Sequence, residues 1–70
     1  MNSVMLSLRE AIVQRVQDKS QSELQEIIRD SIDGDEKALP GLGVLFEMIW
    51  KNSDDSQQQH MLETLHKQLT

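Results

Sequence analysis

Seven of the nine residues from Leu42 to Trp50 are large and apolar, and this segment constrains the fold more than any other. Read as a helix from about Leu42 to Lys51, it carries Leu42, Val44, Leu45, Phe46, Met48, Ile49 and Trp50 around most of its circumference. Only Gly43, Glu47 and Lys51 interrupt them, stacked at i, i+4 and i+8 as a narrow polar stripe. A helix apolar nearly all round belongs in the middle of something. The chain has 70 residues, enough for one small helical domain over residues 1–70 and too few for a second. At that length a domain hides only about 60% of its unfolded surface, and with no cysteine there is no disulfide to help. The cover for the apolar segment must come from the other helices or from another molecule.

Those helices are legible from caps and periodicity. A first runs from about Leu8 to Gln17, with Ser7 as N-cap and Glu10 completing a capping box. Leu6 and Ala11 sit at staple positions, and Leu8, Ile12, Val13 and Val16 form the apolar face. A second starts at Ser20 with Glu23, or at Ser22 with Gln25, and aligns Leu24, Ile27, Ile28 and Ile32 before Gly34 stops it. Residues 35–38 read as a polar linker, and Pro40-Gly41 as a turn or a helix start. A fourth helix starts near Ser53 to Asp55, with Met61, Leu62, Leu65 and Leu69 as its apolar face. No period-2 run suggests a strand. The expected fold is all-α: a small bundle of three to four helices with helix 3, about 42–51, at the centre. Leu42, Leu45, Phe46 and Ile49 should be the most buried, packed by Leu8, Ile12, Ile28, Ile32, Leu62 and Leu65. Val44 and Trp50, at the edges of the polar stripe, are the residues expected to stay exposed.

The residues offer no reaction. His60 and His66, six apart on one helix, point about 120° from each other and cannot share a metal ion. Asp33-Gly34-Asp35-Glu36 looks like the start of a calcium loop, yet the twelfth position is Val44 where a glutamate is needed. No serine sits in a GxSxG elbow, and Gly41-Leu42-Gly43 lacks the rest of a phosphate loop. The expectation is a protein with no catalytic, cofactor-binding or metal-binding residues and no cofactor. The stretch from Leu39 to Trp50 is broken by Pro40, Gly41, Gly43 and Glu47 and is far short of the ~20 residues of a membrane span. The N-terminus has neither a basic start nor a small-residue cleavage site. A soluble, intracellular protein without membrane contact is expected.

Charge bears on partners. The net charge is -5, and residues 23–36 alone carry six acids against Arg29. Residues 1–22 hold Arg9, Arg15 and Lys19 against Glu10 and Asp18. Arg15 and Lys19, at i and i+4, could touch two phosphates, which amounts to weak and salt-sensitive binding. Nucleic acid is therefore an unlikely partner, and a solvated helix edge is the simpler account of these cations. The apolar excess of helix 3 is the stronger feature. Either the other helices wrap it, or part of it serves a homodimer or a protein partner, where Trp, Phe and Met are favoured.

The string from Leu39 to Asn52, LPGLGVLFEMIWKN, closely resembles the core of the small acid-soluble spore protein I family of endospore-forming Gram-positive bacteria. The likeness extends to Leu8-Arg9, Ala11-Ile12-Val13, the acidic second helix, Gly34 with the acids after it, and Met61 to Leu65. The resemblance implies a minor protein made in the developing forespore during sporulation and kept in the spore core. It implies a place and a time, not a mechanism, and brings no catalytic residues. The abundant DNA-saturating spore proteins carry a different pattern, which this chain lacks. Two readings follow: a non-enzymatic spore-core protein that binds protein through helix 3, or a nucleic-acid-associated one acting through Arg9, Arg15 and Lys19.

Overall fold

The computed structural model describes residues 7–70. Among them the chain forms four α-helices and no strand: α1 (Leu8–Val16), α2 (Gln21–Ser31), α3 (Leu39–Lys51) and α4 (Asp55–Leu69). A single 3-10 turn, Glu36–Ala38, leads into α3. The all-α expectation holds, and α3 is the element on which α1, α2 and the 3-10 turn all pack.

Helix starts follow the side chains that can satisfy free backbone N–H groups. The Glu10 N–H donates to Ser7 Oγ at 3.1 Å, and the Ser7 N–H donates to Glu10 Oε1 at 2.9 Å. Ser20 and Glu23 repeat this arrangement at α2, and Asp54 and Gln57 do so at α4. The staple expected from Leu6 lies outside the described residues. The segment expected as a plain linker is ordered by Asp35, whose carboxylate accepts the Lys37 N–H at 2.9 Å. α3 begins at Leu39, not Leu42, because Pro40 fits a first turn where its missing N–H costs nothing.

The end of α2 differs from expectation in its mechanism. Gly34 does not take the left-handed conformation; Asp33 does, at φ 58°. Aspartate tolerates that region better than most residues. Gly34 is needed for another reason, since a Cβ there would lie 3.0 Å from the Asp30 carbonyl oxygen. Gly34→Ala should therefore destabilise by about 1 kcal/mol, read as a lower unfolding midpoint.

Burial departs from the expected core. Val44, placed at an exposed edge by the sequence, is the one buried residue among those described, at 7% exposure. Leu42, Leu45 and Trp50 are half-buried, as are Ile12 and Ile28, whereas Phe46 and Ile49 remain exposed. Leu8, Ile32, Leu62 and Leu65 are exposed too. The reason is the direction α3 faces. Its Pro40–Val44–Glu47 side lies under α1, Leu42, Leu45, Met48 and Ile49 border grooves shared with α1 and α2, and Leu39 and Phe46 look outward. α1 and α2 pack on α3, and α4 extends from its end; α1, α2 and α4 alike contribute no fully buried residue. The radius of gyration is 14.3 Å, against roughly 11 Å for a compact chain of this length.

Candidate functional site

The outward side of α3 is built by helical spacing. Leu39, Leu42, Phe46 and Ile49 follow one another at 3, 4 and 3 residues and so fall in one stripe. Leu39, Phe46 and Ile49 are exposed and Leu42 is half-buried, but Leu42 and Ile49 border grooves shared with α1 and α2, which leaves Leu39 and Phe46 as the outward pair. The ring of Phe46 leans on that of Trp50, with centroids 6.0 Å apart at 37°. That contact gives the stripe a rigid aromatic edge.

The opposite side of α3 is pinned. Arg9 of α1 grips Glu47 with two parallel bonds, Nε to Oε1 and Nη2 to Oε2, both 2.7 Å. The hydrogen bonds to Glu47 hold the Arg9 guanidinium above its ordinary pKa, and its charge adds to the effect. The same hydrogen bonds, aided by the charges of Arg9 and Lys51, hold the Glu47 carboxyl below the usual carboxylate range. The C-terminal end of α3 is closed by side chains as well. Asn52 Nδ2 donates to the Met48 carbonyl at 2.8 Å, Ser53 Oγ to that of Ile49, and Gln58 Nε2 to that of Trp50 at 2.9 Å. Gln58 thereby ties the first turn of α4 to the end of α3. These bonds fix the orientation of the stripe.

Glu10 and Glu23, held low by hydrogen bonds from Ser7 and Ser20, share the behaviour of Glu47. A carboxyl whose folded pKa is depressed adds stability above its unfolded pKa and loses it as pH falls through the folded one. The thermal midpoint should therefore be flat above about pH 5 and drop below about pH 4.5. A midpoint unchanged down to about pH 2 would contradict the role of these carboxylates.

The cations singled out by sequence are not brought together. Arg9 is engaged by Glu47. Arg15 lies exposed in the last turn of α1, but Lys19 lies beyond the helix, in the turn before α2, so helical stacking of the pair does not occur. His60 and His66 are both exposed on α4. Among the described residues, no group of three His, Asp or Glu side chains is placed to hold a metal, and no helix is long and apolar enough to cross a membrane. Sequence reasoning missed the Arg9–Glu47 clamp. Its only sign was one acid within an otherwise apolar helix.

The sequence profile of the family described as "Small, acid-soluble spore protein I" matches residues 6–69. A small, acid-soluble spore protein I of Bacillus cereus strain G9842 is 55% identical over 64 residues, covering 90% of this chain and 93% of the relative. One from Bacillus anthracis strain CDC 684 / NRRL 3495 is 53% identical with the same coverage. No solved structure matches.

Proposed function

The chain belongs to the small acid-soluble spore protein I family, and on that premise we propose a non-enzymatic protein of the spore core, made in the forespore during sporulation, that works by protein contact through α3. The observation that carries the contact reading is the half-exposed state of Phe46 and Ile49, at 49% and 48%, on the most apolar helix of the chain. Leaving such side chains in water forfeits about 25 cal/mol for each Å² that contact would cover. The alternative, nucleic-acid association through Arg9, Arg15 and Lys19, loses Arg9 to Glu47 and has two scattered cations left.

The test is capture from an extract of sporulating cells, with and without nuclease, using the chain and its Phe46→Glu variant as baits. Proteins retained after nuclease and lost with the variant are the expected result. Capture that disappears with nuclease, or that is the same for both baits, would refute the reading.

A further inference from the structure

Resting on the contact reading above, we propose that the grooves α3 shares with α1 and α2 seat an acidic amphipathic helix of another protein. Its apolar side chains fill the grooves, and its carboxylates meet Arg15, Lys19, Arg29 and Lys37.

The grooves follow from how the helices pack. α1, α2 and α3 bring their apolar faces together, yet only Val44 is buried among the described residues, and space is left between them. One groove, of about 420 Å³, lies among all three helices over Val16, Ile28 and Leu45. A second, of about 300 Å³, shares Val16 and Leu45 with the first and reaches Leu42. A third, of about 430 Å³, runs along α2 and shares Leu24 and Ile28 with the first. The shared walls join them into one track. Along α3 it extends from Pro40 to Ile49, about 14 Å or two and a half turns of a docked helix.

Charge identifies the occupant. The charged residues lining the track are Arg15, Lys19, Arg29 and Lys37, all cations and all exposed. The chain as a whole has the reverse balance, with twelve Asp and Glu against seven Lys and Arg. Glu23 feels the charge of Lys19 but forms no ion pair with it. An adjoining groove beyond Leu8 and Pro40 holds Arg9 and Glu47, which neutralise each other. Among the described residues, none of the four cations of the track is in an ion pair.

Other occupants match less of this surface. A neutral or basic partner would cover the cations with nothing to pair them. A phosphate backbone would meet the cations but bring nothing apolar to the grooves between them. A single-headed amphiphile would fill one groove and satisfy one cation. A helix with apolar residues on one side and carboxylates flanking them can serve all three grooves and all four cations.

The probe is a fluorescein-labelled helical peptide of about 18 residues, with leucines on one side and glutamates flanking them. Its twins carry lysine for glutamate or serine for leucine. In anisotropy titrations with the purified chain, the first peptide should bind at least ~10-fold more tightly than either twin and weaken as salt rises. Lys19→Glu/Lys37→Glu, at two exposed positions, should reverse the preference so that the lysine twin binds better. A first peptide that binds no more tightly than either twin, or a preference unmoved by the charge reversal, overturns the proposal. Photo-crosslinkers at positions 46 and 48, used one at a time in sporulating cells, separate this failure from that of the contact reading. An adduct at 48 with an acidic segment of another protein supports both. An adduct at 46 alone, or at 48 with a basic or uncharged segment or a second copy of this chain, sinks the acidic helix and keeps the contact reading. Adducts with nucleic acid alone, or none at either position, sink both.

Discussion

Val44→Asp is expected to abolish the cooperative thermal transition and most of the helical signal. Val44 is 7% exposed beneath α1, and Arg9, which lines the same groove, is already held by Glu47, whose charge would repel a carboxylate. An unpaired buried charge costs several kcal/mol, and a domain of this size has about 3–5 kcal/mol to lose. Phe46→Ala should behave differently. With 49% of its surface already in water, Phe46 loses only part of its burial, and the cost falls from the ~3–5 kcal/mol of a core phenylalanine to about 1–2 kcal/mol. If Phe46→Ala unfolded the chain and Val44→Asp did not, the core would lie on the other side of α3.

That contrast also shows where sequence reasoning stopped. Helix starts were legible because they are local: Ser7 with Glu10, and Ser20 with Glu23, are spacings within one turn. The central place of α3 was legible from its apolar excess. Its direction was not. A helix apolar on nearly every side has no dominant face, so the polar stripe of Gly43, Glu47 and Lys51 looked like the solvent side. The opposite orientation sets Glu47, with 39% of its side chain still in water, beside Arg9, 38 residues away, in a surface ion pair that adds little to the burial of Val44. That partnership is long-range and leaves no local pattern. The turn after α2 shows the same limit on a smaller scale. Gly34 marked the right place, but the left-handed residue is Asp33, and the glycine serves the close approach to Asp30.

A duplex oligonucleotide is expected to show no saturable binding tighter than about 10 μM at ~150 mM salt, by fluorescence anisotropy. With Arg9 engaged, Arg15 and Lys19 are what remains of the cluster, and they do not share a helix. Two phosphate contacts give a salt slope near -2, too shallow for useful affinity at this ionic strength. The net charge of -5 repels the duplex before contact, with Glu23, Glu26, Asp30 and Asp33 exposed along and just beyond α2. Base stacking needs an aromatic beside a cation, and Phe46 is exposed enough to stack. Its neighbours along the stripe, however, are Leu39, Leu42 and Ile49, and Lys51 points about 140° away from it on the same helix. Phe46 and Lys51 thus lie on different sides of α3 and cannot assist each other on one strand. Tight saturable binding that vanished in Arg15→Ala/Lys19→Ala would reverse the ranking of the two functions and make the exposed face of α3 incidental to the role of the protein in the spore.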